Sequence, residues 1–282
     1  MYETFYGFRE EPFRLSPDSR LCFMHSSYKK AKAYMEYALQ RREGFVMVTG
    51  RPGTGKTTLI NHITAELTND GNLFAALSST QIQADDLLRL VLLKFGLNGA
   101  NEHKALLIHE LENFLFRIHR EGRRPLLIID EAQDLSATAL EELRLLTNLQ
   151  KDSQPLLQIF LVGQEELRQT VLAPGLEQLH QRIVASSHLK ALDKESMEAY
   201  IKHRLTNVGW NNNPSLSSDI FPVIHDSSQG VPRIINQICS RLLLHGMVEE
   251  KSELGLDDIM EVIDDLNLEQ LLPMPRENLP AA

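Results

Sequence analysis

The sequence predicts an α/β fold: a parallel sheet covered by helices on both faces, followed by a small domain built from helices alone. Short apolar runs rich in β-branched residues alternate with longer segments in which apolar residues recur at helical spacing. Strands that are apolar throughout are typical of a parallel sheet, because both of its faces are buried. These runs stop near residue 190, and helical periodicity alone continues to about residue 266.

The predicted sheet has five strands. Four are almost entirely apolar and the fifth is a short segment, and their ranges are Phe45–Thr49, Leu73–Leu77, Leu126–Ile129, Leu156–Val162 and Ser187–Leu189. Helical periodicity precedes or separates them at residues 26–42, 58–67, 84–95, 102–121 and 137–150. Strands that alternate with helices in this way form parallel sheets with helical layers on both faces.

The chain divides into four predicted segments. Residues 1–44 are an aromatic, turn-rich linker followed by a helix, and residues 45–192 form the sheet domain. Residues 193–268 form the helical lid domain, with helices at 194–208, 217–227, 232–249 and 256–266. Residues 269–282 carry three prolines and are expected to be a disordered tail.

Composition narrows the choice of partners. The chain has 282 residues and a net charge of −9, so no bulk attraction to nucleic acid or anionic lipid is expected, although a local basic patch stays possible. Cys22 and Cys239 form no metal-ligand cluster and are expected to be buried thiols in a reducing compartment. No secretory leader and no apolar run of ~20 residues is visible, which predicts a cytoplasmic protein.

A phosphate-binding motif follows the first strand. Residues 50–57 read Gly-Arg-Pro-Gly-Thr-Gly-Lys-Thr and match G-x-x-x-x-G-K-[ST] between a strand and a helix, a context that an ordinary glycine-rich turn would lack. Its backbone N–H groups can surround phosphate oxygens, Lys56 can reach the β- and γ-phosphates, and the Thr57 hydroxyl can bind Mg²⁺. The motif therefore predicts nucleoside triphosphate and Mg²⁺ as cofactors. The residues predicted to bind them are Gly50, Arg51, Pro52, Gly53, Thr54, Gly55, Lys56, Thr57 and Thr58.

An acidic pair ends the third strand. Asp130 and Glu131 follow its apolar run, at the strand end where ligands of open α/β sheets bind. Asp130 can hold Mg²⁺ and Glu131 can orient and deprotonate an attacking water, the alternative being two solvated acids that cap a strand. Gln133 and Asp134 are predicted to be helix-capping or surface groups.

Three further polar residues are candidates for the same chemistry. Gln164 follows the fourth strand, where its amide could bond both the γ-phosphate and the attacking water. Arg182 precedes the last strand and Arg233 opens a lid helix, and a guanidinium suits the charge that develops on the γ-phosphate. Solvent-facing side chains are the alternative for all three.

The chain resembles the AAA+ ATPases through four segments together: residues 50–57, Leu127–Gln133, Leu161–Gln164 and Gly230–Arg233. The absence of an Asn-Lys-x-Asp guanine signature favours ATP over GTP. The opening, with Phe5-Tyr6-Gly7-Phe8, Pro12-Phe13 and Pro17-Asp18, sharpens the likeness. It is similar to the ATPase domain of ExeA/GspA-type proteins of bacterial general secretion and of related pilus-biogenesis or exopolysaccharide-export systems.

This resemblance implies roles for the candidate residues. Asp130 is the magnesium carboxylate, together with Thr57, and Glu131 is the general base. Gln164 takes the first sensor position, where many AAA+ proteins have Asn. Arg182 is the finger that reaches the ATP of a neighbouring subunit, and Arg233 is the lid sensor. The adenine pocket lies between the N-terminal segment and the lid.

The resemblance also implies a setting. It predicts a homo-oligomer that hydrolyses ATP while assembling or remodelling an envelope secretion or export machine. Members of the family continue into a membrane segment and a periplasmic peptidoglycan-binding domain, neither of which occurs in these 282 residues. If these residues are the full chain, we expect a cytoplasmic protein that partner proteins recruit to the inner membrane, or a shorter stand-alone relative of the family.

Two alternatives to this function stay open. One is a DNA-binding ATPase of the transposition-helper type, for which the best basic clusters are Arg41-Arg42 and Arg120 with Arg123-Arg124. Solvated helix ends are the other interpretation of these arginines. The second alternative is a slow ATP-dependent switch, which requires the same residues as a motor and so cannot be separated from it by sequence.

Overall fold

The computed structural model describes residues 1–16, 21–41, 44–69, 71–78, 83–100 and 103–272. They form two compact units. The sheet unit comprises Ser26–Pro52 and Lys56–Leu189, and the helical unit comprises Met1–His25, Gly53–Gly55 and Lys190–Ala282. Pro17-Asp18, Arg42 and the predicted tail from Pro273 onward lie outside the described residues.

All five predicted strands are present. In chain order the strands are β1 (Phe45–Gly50), β2 (Leu73–Ser78), β3 (Pro125–Asp130), the two-residue β4 (Gln150–Lys151) and β5 (Gln154–Pro155), β6 (Gln158–Gly163), β7 (Ile183–Leu189), and two more two-residue strands in the helical unit, β8 (Ser215–Leu216) and β9 (Glu253–Leu254). The main sheet has the order β2-β3-β6-β1-β7, and every neighbouring pair in it is parallel. The predicted fold class is therefore confirmed.

The described residues of the two units also form α-helices. They are α1 (Tyr2–Tyr6), α2 (Ser26–Arg41), α3 (Lys56–Asn69), α4 (Ala84–Lys94), α5 (Lys104–Arg120), α6 (Ala137–Leu146), α7 (Glu165–Leu172), α8 (Glu177–His180), α9 (Lys194–Asn207), α10 (Ile220–Ser228), α11 (Pro232–Val248) and α12 (Leu256–Leu268). The sequence interpretation missed α1, α7 and α8. Each spans eight residues or fewer, too short for a periodic apolar pattern to stand out.

The core of the sheet unit explains why its strands read as continuous apolar runs. Every residue of β1 and of β6 is buried, because helices cover both faces. Phe45, Phe160 and Leu127 are fully buried there. Burying a side chain of this kind stabilises a fold by about 1.5–3 kcal/mol.

One predicted helix ends early. Its range was predicted as 137–150, but α6 stops at Leu146, and a short hairpin of β4 and β5 precedes β6. Asp152 and Ser153 join the two strands with φ angles of 51° and 64°. Two consecutive left-handed residues form the turn that suits the twist of a hairpin, a feature that helical periodicity does not signal.

The helical unit builds a second core around its N-terminal segment. Tyr2, Tyr6, Phe8 and Phe13 are buried with apolar residues of α9 to α12. The guanidinium of Arg204, a residue only 6% exposed, donates to the backbone oxygens of Pro12 (2.6 Å), Arg14 (3.3 Å) and Leu21 (3.5 Å). Because a buried charge needs such partners, Arg204 fixes the aromatic segment onto α9.

Among the residues that the structure describes, no helix is long and apolar enough to cross a membrane. The domain boundaries predicted at residues 44, 192 and 268 remain predictions. The structure groups Met1–His25 with the C-terminal helices, and α2 with the sheet.

Candidate active site

The phosphate-binding motif forms the connection between β1 and α3, as predicted. Gly53 and Gly55 have φ angles of +78° and +96°, values that glycine adopts without the strain a side chain would introduce. The first turn of α3 contains Lys56 and Thr57. The amino end of a helix carries unpaired N–H groups and a partial positive charge, which together attract phosphate.

Lys56 is held by the loop that precedes it. The residue is only 7% exposed, and its ammonium donates to the backbone oxygens of Gly50 (2.9 Å) and Arg51 (3.3 Å). Burial lowers the pKa of Lys56, and the nearby negative charges of Glu131, Asp130 and Glu166 oppose that shift. A buried ammonium held in this way suits a polyanionic ligand.

Asp130 ends β3 next to Thr57. Burial raises the pKa of Asp130, while bonds from the Glu131 backbone N–H (3.0 Å) and the Thr57 hydroxyl act in the opposite direction, as does the charge of Lys56. A partly desolvated carboxylate beside a hydroxyl offers the hard oxygen ligands that Mg²⁺ prefers. Asp130 and Thr57, the two residues predicted to hold Mg²⁺, therefore fit that ion.

Glu131 has an uncommon backbone conformation. Its φ and ψ are 52° and 41°, in the left-handed region, where a residue with a side chain is strained by about 1 kcal/mol or more. Two bonds hold it there: its N–H donates to the Asp130 carboxylate (3.0 Å), and its carbonyl accepts from Asp134 N (3.0 Å). Strained residues of this type are concentrated at functional sites.

Gln133 corrects the sequence interpretation. It was expected to be a helix-capping or surface group, but its side-chain amide lies between two predicted site residues. Nε2 donates to Glu131 Oε2 (3.0 Å), and Oε1 accepts from the backbone N–H of Gln164 (3.0 Å). The sequence carried no signal for this, because the contact with Gln164 depends on which strand lies beside β3.

Gln164 follows β6, which lies between β1 and β3. The carboxyl ends of these three parallel strands meet at one edge of the sheet. The sheet unit therefore brings Lys56, Asp130, Glu131 and Gln164 to a common edge.

Arg182 lies at the other end of the sheet. It precedes β7, whose first residue pairs with Phe45 and whose last pairs with Gly50 at the phosphate loop. Its guanidinium Nη1 donates to Thr147 Oγ1 (2.6 Å) and the Arg144 oxygen (3.4 Å), at the carboxyl end of α6. The structure thus does not bring Arg182 to the phosphate loop of its own chain.

Arg233 belongs to the helical unit, which also contains Gly53 of the phosphate motif. It is exposed in the first turn of α11, and its backbone N–H donates to the Gly53 oxygen (3.2 Å). A Cβ on Gly53 would lie 2.7 Å from the Arg233 Cβ, so glycine is required at that position. The structure therefore places Arg233 against a residue of the phosphate motif.

Comparisons with known proteins agree with this geometry. Residues 39–171 match the model of the AAA domain family. The crystal structure of Cdc6p from Pyrobaculum aerophilum has a TM-score of 0.68 to this chain, with 16% sequence identity over 95% of this chain and 74% of that one. At that identity the likeness shows the fold. The fold and the family match together show that the chain contains an AAA-type P-loop domain, similar to those of AAA+ ATPases.

Two relatives are similar at the sequence level. General secretion pathway protein A of Aeromonas hydrophila is 35% identical over 260 residues, which are 92% of this chain and 47% of that protein. ATP-dependent target DNA activator B of Escherichia phage Mu is 34% identical over 104 residues, 37% of this chain and 31% of that protein. The chain thus spans about half the length of the first relative. The predicted resemblance to a general secretion pathway ATPase is confirmed.

We expect the Asp130→Asn variant to unfold at a higher temperature than the wild type at pH 7. Burial raises the pKa of Asp130, so ionising this carboxyl is less favourable in the folded than in the unfolded chain. The resulting loss of stability is present above the raised pKa and vanishes below the ordinary aspartate value of about 3.9, where both states are protonated. Asparagine keeps the oxygen that accepts from Glu131 N and removes the charge.

Thermal unfolding from pH 7 down to about pH 4, without nucleotide or Mg²⁺, would measure this difference, which should shrink as the pH falls. Asp264→Asn, at an exposed position of α12, is the matched control and should leave the midpoint unchanged. A lower midpoint for Asp130→Asn at pH 7 would contradict the expectation.

Proposed function

We propose that this chain binds Mg²⁺ and ATP and hydrolyses the ATP as an oligomeric assembly or remodelling factor of a bacterial envelope secretion or export system. The observation that carries the catalytic part is the meeting of Lys56, Asp130 and Glu131 at one sheet edge, next to the phosphate loop. The secretion setting is supported by similarity to the Aeromonas protein along 92% of this chain.

The residues divide the work of hydrolysis between them. Lys56 and the N–H groups of the loop bind the phosphates, and Thr57 and Asp130 would hold Mg²⁺, which would neutralise charge on the phosphate oxygens when bound. Glu131 accepts a proton from the water that attacks the γ-phosphorus, and the bond from that phosphorus to the bridging oxygen of ADP breaks. Gln164 orients the water and the γ-phosphate. Arg233 takes the lid-sensor position.

An oligomer completes this proposal. Arg182 lies at the end of β7 remote from the phosphate loop of its own chain, so we assign it to the ATP of a neighbouring subunit. Such an arginine stabilises negative charge on the transferred phosphoryl group. We place the protein in the cytoplasm, recruited to the inner membrane by partner proteins of the envelope machinery.

A DNA-dependent ATPase is the second candidate, favoured by the match to the phage Mu activator. In the structure, Arg124 Nη1 donates to the Leu39 oxygen (3.1 Å), which brings the Arg123-Arg124 cluster to the carboxyl end of α2, where Arg41 lies. Arg123 is paired with Glu121 (3.4 Å), and the chain carries a net charge of −9. These acidic features favour the first proposal.

We expect Glu131→Gln to bind ATP with nearly unchanged affinity and to lose at least about 100-fold in hydrolysis rate, because glutamine cannot accept the proton of the attacking water. Phosphate release and the affinity for a fluorescent ATP analogue measure the two properties separately. Glu112→Gln on α5 is the control for the loss of one carboxylate. An unchanged hydrolysis rate in Glu131→Gln would show that Glu131 is not the general base. A hydrolysis rate of the wild-type protein far below about one turnover per minute would favour the ATP-dependent switch.

We expect the hydrolysis rate per protomer to rise with protein concentration and to fall at least about 100-fold in Arg182→Ala, since an arginine finger contributes about 10³–10⁵-fold to the rate of P-loop GTPases. Thr147→Val is the matched control. It removes the 2.6 Å bond to the Arg182 guanidinium but leaves the positive charge of Arg182 in place. A rate that does not depend on concentration or on Arg182 would instead indicate a monomeric switch.

We expect no ATP-dependent binding of double-stranded DNA. Fluorescence anisotropy at low and at moderate salt tests this, because binding through phosphate contacts weakens steeply as salt rises. Salt-sensitive binding that requires ATP and weakens in Arg120→Gln would favour the DNA-dependent function over the secretion role.

A further inference from the structure

We propose that Gln133 is the positioning residue of this active site: its amide holds the Glu131 carboxylate in place and ties it to the strand end that carries Gln164. The proposal rests on the proposed function of Glu131 as the general base. Gln133 lies just after β3, in the short helical turn Ala132–Asp134, and its side chain is half-buried.

The bonds of the amide define its orientation. A backbone N–H can only donate, so the atom that faces Gln164 N at 3.0 Å must be the oxygen of the Gln133 amide. The amide nitrogen then faces two carboxylates, Glu131 Oε2 at 3.0 Å and Asp134 Oδ1 at 3.3 Å. Both of its hydrogens are thus directed at acceptors, and the charged form of Glu131 receives a donor.

The surrounding backbone is shaped for this contact. A Cβ at Gly163 would lie 2.7 Å from the Gln133 amide oxygen, so only glycine at the end of β6 allows the amide to approach. On the other side, the left-handed conformation of Glu131 sets the direction in which its side chain leaves the backbone. The amide therefore occupies a space bounded by two constrained residues.

This arrangement has a consequence for the reaction. The glutamate side chain has three rotatable bonds, and a general base must stay within hydrogen-bond reach of the water that it deprotonates. Misplacement of a reacting group by about 1 Å can reduce a rate 10²-fold. By holding one carboxylate oxygen, Gln133 leaves the other available to the water and limits the positions that the base can occupy.

The same amide joins the base to the sensor position. Gln164 is expected to contact the γ-phosphate, and its backbone N–H is bound to the Gln133 oxygen. A shift of the Gln164 backbone would therefore move the donor that holds Glu131. In this way Gln133 links the residue that detects the phosphate to the residue that activates the water.

Two substitutions distinguish the role of the amide nitrogen of Gln133, which donates, from that of its oxygen, which accepts. Gln133→Glu keeps an oxygen that can accept from Gln164 N but replaces the donor by a negative charge beside Glu131. Gln133→Met has a similar length and loses all three bonds of the amide. Gln158→Met is the matched control, because Gln158 is a buried glutamine at the start of β6 whose amide donates to the Ala38 oxygen (2.9 Å), at the sheet end opposite to Gln164.

The experiment measures kcat, KM, affinity for a fluorescent ATP analogue and the unfolding midpoint of each variant of the 282-residue chain, with Glu131→Gln in parallel. We expect kcat to fall about 10- to 100-fold in both Gln133 variants, with nucleotide affinity within about two-fold of wild type. Gln158→Met should lower the unfolding midpoint and leave kcat near the wild-type value.

Other outcomes would overturn the proposal. If Gln133→Glu keeps full activity while Gln133→Met unfolds earlier or binds ATP poorly, the amide only supports the backbone of Gln164. Normal kcat in both Gln133 variants, together with an inactive Glu131→Gln, refutes the positioning role alone. An active Glu131→Gln would instead show that the proposed function of the base is wrong.

Discussion

The position of β6 between β1 and β3 is the constraint on which the active site depends. β1 leads into the phosphate loop and β3 ends in the acidic pair, and a strand inserted between them separates those two groups by one more strand spacing, about 4.8 Å. The end of β6 places Gly163 and Gln164 between these two groups. Because all three strands are parallel, their functional ends reach the same edge without any special loop.

The charged residues at this edge lower the stability of the folded chain. Lys56 and Asp130 are both desolvated, and burial shifts the pKa of each toward its uncharged form. Glu131 adds a strained backbone. The buried strands β1 and β6, together with the helices that cover them, offset these terms. A bound Mg²⁺ and phosphate would add partners of opposite charge to Asp130 and Lys56.

Local patterns predicted most of the fold and the core of the site. The motif at residues 50–57 and the Asp130-Glu131 pair are contiguous in sequence, and their chemistry follows from residue type and flanking strands. Gln133 could not be recognised in this way, because its role depends on a bond to Gln164, 31 positions away. The hairpin before β6 and the short helix α7 were missed for a related reason: two left-handed residues and an eight-residue helix give little periodic signal.

The placement of Arg182 is a geometric argument for assembly. β7 separates it from the Gly50 end of the sheet, and seven residues of strand span roughly 20 Å, farther than an arginine side chain can reach. Its guanidinium is also bound to Thr147 and to the Arg144 oxygen, so local packing fixes its direction. If Arg182 contributes to hydrolysis, it must do so at the phosphate of another chain, and the active site would then be complete only in an oligomer. If it does not, its bonds at the end of α6 are sufficient to explain its place in the fold.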